Sequence, residues 1–240
     1  MKDASSLIVR GRDGAEIEVP VRISARARRL SLKVDPARGM PELVLPRGVA
    51  PTQAESFVAR NVVWLEERLK RLPDSVPFAD GVTIPLLGTD HLIRHTPERR
   101  GTVRRVEAGE TEPARLEISG GADHLPRRLT DWLKREARRE ISERARFYAE
   151  QLGRRPARIS IRDTRSRWGS CSSKGALSFS WRLILAPEHV LDYVCAHEAA
   201  HLIEMNHSHR FWALVERLVE DMDTSRAWLK RHGAALHRYG

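Results

Sequence analysis

Apolar positions along the chain recur first in twos and, after Pro51, in threes and fours. Ile17, Val19, Val21 and Ile23 alternate with Glu18, Pro20 and Arg22, which predicts a strand with one buried face. Leu30, Leu32 and Val34 alternate in the same way, and DPARG at 35–39 punctuates like a hairpin turn. Leu43, Val44 and Leu45 predict a short strand closed by Pro46. After Pro51 the period becomes helical. Phe57, Val58, Val62, Trp64, Leu65 and Leu69 recur at helical spacing up to Pro73, and Thr52 with Glu55 fits a capping box. DG at 80–81 and LG at 87–88 bracket a further hairpin.

Residues 97–115 are rich in Gly, Glu and Arg and poor in large apolar groups, so a loop or domain boundary is expected there. Pro126 predicts the start of a long helix to about Leu152, with Leu129, Trp132, Leu133, Ala137, Ile141, Ala145 and Tyr148 as its apolar stripe. Ile159 and Ile161 predict a strand, and Leu177 and Phe179 a second. A helix from Pro187 should run to Met205, and a final helix from about His209 should carry Phe211, Leu214, Val215, Leu218 and Met222. The expected class is α+β, with a β-rich part over residues 1–110 and a catalytic part over residues 111–240.

Composition narrows the partners. The 240 residues carry Lys+Arg 42 against Asp+Glu 32, a formal charge of +10, and 36 of the 42 cations are arginine. That surplus allows anionic partners without identifying one. Along the long helix Arg135, Arg138, Arg139, Arg144 and Arg146 interleave with Glu136, Glu140 and Glu143. A solvated face with i,i+4 pairs is favoured there over a nucleic-acid ridge. Two cysteines, Cys171 and Cys195, exclude a disulfide scaffold or a four-cysteine zinc ribbon. No stretch approaches 18 apolar residues, and MKDASSLIVRGRDG lacks a signal-peptide core. A cytoplasmic protein with no membrane contact is expected.

The chemistry concentrates in His197-Glu198-Ala199-Ala200-His201. On a helix, positions i and i+4 share a face, so two imidazoles can reach one Zn²⁺. Glu198 lies beside the first of them, placed to take a proton from a metal-activated water without occupying a ligand position. A chain of this composition would contain such a motif by chance about 0.03 times. A catalytic zinc usually has three protein ligands. His207 lies six residues past His201, the count found in metzincins, with Glu204 at the position those enzymes give to glycine. Met205-Asn206 is the expected place for the chain to turn back, because Asn tolerates the left-handed region. His207 is preferred as the third ligand and His209 is the alternative; Glu216 and Glu220 rank below His207.

Arg167-Trp168-Gly169-Ser170-Cys171-Ser172, the run Asp192 to His201, Asn206-His207-Ser208 and Phe211-Trp212 together resemble the YgjP-like family of zinc-dependent hydrolases, themselves similar to SprT-like and other small zincin peptidases. The likeness extends upstream through 21–34, the Trp64 helix and 79–88. It implies a zincin-type catalytic half, zinc on His197, His201 and His207, and Glu198 as general base.

Such a centre serves either a peptide or a nucleotide phosphoanhydride, depending on what stabilises the developing charge. Arg165, Arg167, Ser170, Ser172, Ser173 and Lys174 crowd a loop with Gly169 and Gly175, which resembles an anion cradle in composition. An edge strand at 176–180 would instead favour an extended peptide. The expected function is metallopeptidase-like hydrolysis. The alternatives are a metal-dependent nucleoside triphosphate pyrophosphatase and a basic nucleic-acid-binding module with a zinc-stabilised half; a nucleic-acid partner is not favoured. Trp64, Trp132, Trp181, Trp212 and Trp228 are read as core anchors, and Cys195 as core.

Overall fold

The computed structural model describes residues 6–35, 39–70, 75–164 and 166–240. Part of the DPARG hairpin and Arg165 therefore lie outside the described residues. The architecture is α+β, and the chain divides into two compact units, Met1–Ser75 and Val76–Gly240.

In the first unit, β1 (Ser6–Arg10), β2 (Glu16–Ile23), β3 (Ser31–Asp35) and β4 (Met40–Leu45) form one sheet in the order β1-β2-β4-β3. The β2–β4 pair is parallel and the outer pairs are antiparallel. Val19, Leu43 and Leu45 meet Ala54, Val58 and Leu65 from two helices, α1 (Pro51–Arg60) and α2 (Val62–Lys70), to make this unit's core. The periodicity predicts one helix here, but Asn61 divides it. Its side-chain amide donates to Phe57 O at 2.7 Å and its N–H to Val58 O at 2.9 Å. The side chain thus competes with the helical ladder, as Asn does. The expected capping box is not formed: Ala50 is the N-cap without a side-chain bond, and Pro51 occupies the first turn. Trp64 is 45% exposed, so it is not a core anchor.

The second unit opens with the same topology. β5 (Thr83–Leu86), β6 (Thr89–His95), β7 (Val103–Val106) and β8 (Arg115–Ile118) lie in the order β5-β6-β8-β7, again with a parallel central pair. Leu87 and Gly88, at φ 50° and 85°, make the β5–β6 turn; two successive positive φ values are the signature of a type I′ turn. The buried faces of this sheet, with Ile84, Leu86, Ile93, Leu116 and Ile118, share one core with Leu129, Leu133 and Ile141 of α3 (Leu125–Gln151). That shared core is why the division falls at 75/76, whereas composition alone puts it between 110 and 111. The low-hydrophobicity stretch is largely loop, as expected, with the short strand β7 in its middle.

Beyond α3 come β9 (Arg158–Arg162), β10 (Gly169–Cys171) and β11 (Ala176–Ser180), in the order β10-β11-β9. β11 is therefore central, not an edge strand, because β9 pairs with it in parallel and β10 antiparallel. Helix α4 (Glu188–Ala200) packs against α3 and β10. It ends at Ala200, short of the predicted Met205, with His201 as its C-cap residue. α5 (His209–Leu218) comes next, and Met222 begins a separate helix, α6 (Met222–His232), capped by the Asp221 side chain on Thr224 N at 2.9 Å.

Ile141 is fully buried, and its carbonyl lies 3.9 Å from the Cys195 sulfur of α4. Ile141→Ala should cost about 2–5 kcal/mol, since the α3–α4 seam can collapse only partly around the gap. Denaturant unfolding would check this; a loss under about 1 kcal/mol would mean the seam is loosely packed.

Candidate metal centre

Three histidines converge from one helix and the turn that follows it. His197 projects from the last turn of α4, His201 caps that helix, and His207 stands after the turn, just before α5. One ring nitrogen from each lies within 4.8 Å of the others. The Nε2 atoms of His197 and His207 are 3.1 Å apart. Among the described residues this is the cluster fit to hold a metal; His209, Glu216 and Glu220 are outside it. His209 is the first residue of α5, where Ser208 is the N-cap and accepts from Phe211 N at 3.4 Å.

The turn that returns His207 is not built as the sequence suggests. Leu87 is the only non-glycine residue with positive φ among the described residues, so Asn206 is not left-handed. The chain instead makes one more tight turn after α4, with Leu202 N donating to Ala199 O and Glu204 N to Ala200 O, each at 3.0 Å. This places the Glu204 carbonyl 3.0 Å from His201 Nδ1. A carbonyl can only accept, so Nδ1 carries the proton and Nε2 is left with a free lone pair. The Tyr193 hydroxyl, one helical turn before His197, lies 3.4 Å from His197 Nδ1 and suits the same tautomer there. Phe211, fully buried, packs against all three imidazoles with ring centroids 4.4–4.8 Å away. Trp212 stacks on His207 at 5.5 Å.

Glu198 turns toward β10. A Cβ on Gly169 would lie 2.6 Å from Glu198 Cγ and 2.7 Å from Cδ, closer than packed atoms approach. The bare backbone of Gly169 is therefore the floor on which this carboxylate rests. Glu198 is 5% exposed, and its Oε2 is buried with no hydrogen-bond partner. Burial pushes its carboxyl up to about 8, against a smaller opposing pull from Arg167. Burial, reinforced by His201, His207 and Arg226, pushes His197 down to about 3, and burial lowers His201 as well. All of these imidazole shifts favour the neutral, ligating form.

Part of the loop with the composition of an anion cradle is engaged in its own turn. Ser172 Oγ accepts from Ala176 N at 3.1 Å, Ser172 N donates to Ala176 O, and Gly175 N donates to Ser172 O, both at 2.9 Å. Those groups close the β10–β11 turn on itself. Arg167 does stand close enough to Glu198 to affect its charge. Cys171 is half-buried on β10 and Cys195 is buried; both are free thiols outside the histidine cluster.

The family model for the YgjP-like metallopeptidase domain matches residues 28–232. The chain belongs to the YgjP-like family. The match covers the helices of the first unit and nearly all of the second, including every residue of the histidine cluster. No curated protein and no solved structure matches the chain. A metallopeptidase domain carries a metal, and a donor set of three imidazole nitrogens within 4.8 Å of one another beside an unpartnered buried carboxylate oxygen fits one. No helix among the described residues is long and apolar enough to cross a membrane.

The raised Glu198 carboxyl has a consequence for the metal-free chain. The folded state keeps a proton that the unfolded chain releases in the ordinary carboxylate range. Its contribution to stability is complete below that range and is lost as pH rises through about 8. Glu198→Gln cannot titrate. In chelator, the variant should gain stability relative to the parent steadily from pH 5 to pH 8. Thermal unfolding at several pH values would check it, and parallel curves would refute the buried, partnerless carboxyl.

Proposed function

We propose that the chain is a zinc-dependent hydrolase acting on peptide bonds, with His197, His201 and His207 as ligands and Glu198 as general base. The observation that carries this reading is the convergence of three imidazole nitrogens within 4.8 Å beside a carboxylate with a buried, unpaired oxygen. When bound, the cation supplies Lewis acidity, making water a better nucleophile near neutral pH and polarising the carbonyl it faces.

The chain's own groups do the rest. Glu198, held over Gly169, accepts a proton from the attacking water at a carboxylate oxygen as the new C–O bond forms. It then delivers that proton to the departing amide nitrogen as the C–N bond breaks. The Glu204 carbonyl and the Tyr193 hydroxyl hold His201 and His197 in the ligating tautomer. Phe211 and Trp212 keep the imidazoles packed in an apolar wall. β10 is the outer strand of its sheet and passes directly beneath the Glu198 carboxylate. An extended peptide added along that strand would run past the reacting groups, which is the peptide-recognition mode of an open sheet edge.

One observation favours the second reading, hydrolysis of a nucleoside triphosphate. Arg167 acts on Glu198 and Arg226 on His197, so two exposed cations stand near the reacting groups. Arg226 is poised over the Trp212 ring at 4.6 Å. Incubating the zinc-loaded chain with denatured proteins and, separately, with nucleoside triphosphates separates the two readings, each scored against Glu198→Gln.

His197→Ala, His201→Ala and His207→Ala should each lose bound zinc, and His209→Ala should keep it. Elemental analysis reads both; zinc lost only on changing His209 would reverse the ligand choice. Glu198→Gln should keep about one zinc and lose on the order of 10²–10⁴-fold in turnover. Gly169→Ala should likewise keep its zinc, yet lose about 10²-fold because its methyl group displaces the base. Full activity in Gly169→Ala would show that β10 does not set the carboxylate.

A further inference from the structure

Helix α3 carries more arginine than its ion pairs engage. Arg139 is held by Glu136 at 2.9 Å and by Glu140; Arg144 is held by Glu140, Glu188 and Asp192. Arg135, Arg138 and Arg146 are in none of the ion pairs seen among the described residues. Their spacing of three and then eight residues places them on one stripe of the helix. That stripe covers about 16 Å of axis at 1.5 Å per residue.

The stripe is one wall of a groove, and β9 is the other. The central depression is about 720 Å³ and includes Arg138, Arg146, Phe147 and Ile159 among its lining. Through Arg138 it shares a wall with a depression of about 330 Å³ that reaches Arg135, Arg162 and Trp181. Through Arg146 it adjoins another of about 390 Å³ that reaches Arg155. Seven basic residues against three acidic ones line these depressions. Arg139 is held by Glu136 and Glu140, and Asp163 is paired with Arg182 at 3.2 Å, which leaves six basic residues against Glu143 and Glu150. β9 is the outer strand of its sheet. Phe147 is 55% exposed in the middle of this groove, its ring set edge-on to Tyr148 at 5.2 Å.

Free guanidinium groups in a row along a concave path select a chain of phosphates. An exposed aromatic ring between them selects a partner with a free flat face. Duplex DNA or RNA keeps its base faces stacked, whereas a single strand can present one. We propose that the α3–β9 groove binds single-stranded nucleic acid, with Arg135, Arg138, Arg146 and Arg162 on phosphates and Phe147 stacked under a base. Interleaved glutamates make this helix read as a merely solvated face in the sequence; the groove shows that the unpaired arginines stand together on one side. This site is separate in its residues from the histidine cluster, so it stands whether or not the hydrolase reading does.

The test uses the full chain and fluorescence anisotropy with labelled 20-nucleotide DNA and RNA strands, the corresponding duplex, and vesicles containing phosphatidylserine. Single strands should bind, with log affinity falling against log salt at a slope near about −3 for four phosphate contacts. Arg138→Gln with Arg146→Gln should flatten the slope by about 1.4. Phe147→Ala should weaken binding by about tenfold while leaving the slope in place. Circular dichroism would confirm that each variant is folded, and Arg135→Gln with Arg162→Gln gives a second pair should the first fail to fold. DNA and RNA strands binding alike points to the shared sugar–phosphate path; a preference for RNA points to its 2′-hydroxyl, and both support the groove. Equal affinity for the duplex, strand binding unchanged in the folded variants, or vesicle binding without strand binding would each overturn the proposal.

Discussion

The burial of one carboxylate governs the rest of the catalytic unit. An ionisable group without a partner is costly in an apolar interior, so everything around Glu198 must hold it there. α4 supplies the holding surface. Val190, Leu191, Val194, Cys195, Ala196, Ala199 and Ala200 are all buried, so this helix is covered nearly all round rather than along one stripe. The small side chains at 196, 199 and 200 let neighbouring backbones come close, and the absence of a side chain on Gly169 lets β10 come closest of all. β10 therefore bounds the Glu198 carboxylate on one side.

That helix is fixed in turn by charge at its other end. Arg144 on α3 bonds Asp192 at 3.0 Å and reaches Glu188, the first residue of α4, at 3.5 Å; they stand about one and a half and two and a half turns before His197. Asp192 is pushed up by burial and pulled back by Arg144. A partly buried ion pair of this kind is weak evidence for net stability. Its geometry nevertheless fixes the position of α4 along α3, and with it the height at which His197 meets His207. Positioning at the sub-ångström level matters more to the proposed chemistry than the stability of any one bond.

Chemistry was more legible in the sequence than architecture. The spacing of His197, Glu198 and His201 could be read because an α-helix has a fixed pitch; His207, beyond the helix end, could be read only from its count of six residues past His201, and the structure does bring the three rings together. Tyr193 was equally readable in principle, since it stands four residues before His197 as His197 stands four before His201. Gly169 carried only the general signal of a glycine within a strand; that its empty space belongs to Glu198 is a contact across 29 positions, which no local pattern contains. Asn206 failed for a different reason. Sequence can name a residue that tolerates a left-handed turn, but the backbone found a right-handed route through Leu202 and Glu204 instead. Trp64 and Asn61 show the same limit: a helical period says which positions share a face, not whether a neighbour covers that face or a side chain cuts the ladder.

The two four-stranded sheets make the limit of periodicity plainest. Their strand orders, β1-β2-β4-β3 and β5-β6-β8-β7, and their alternation of antiparallel, parallel and antiparallel pairs are the same. No sequence repeat announces it. Alternation of apolar residues specifies a strand's buried face and nothing about its neighbour, so two unrelated-looking stretches can satisfy one topology. The two units differ in the helices that come after each sheet. In the first unit two short helices broken at Asn61 close a small core. In the second, α3 runs unbroken for 27 residues, long enough to pack on the sheet, brace α4 and still present an arginine stripe beside β9. The length of that single helix, set by the absence of any Gly or Pro between Arg127 and Leu152, is what lets one side of it serve the histidine centre and another serve the groove.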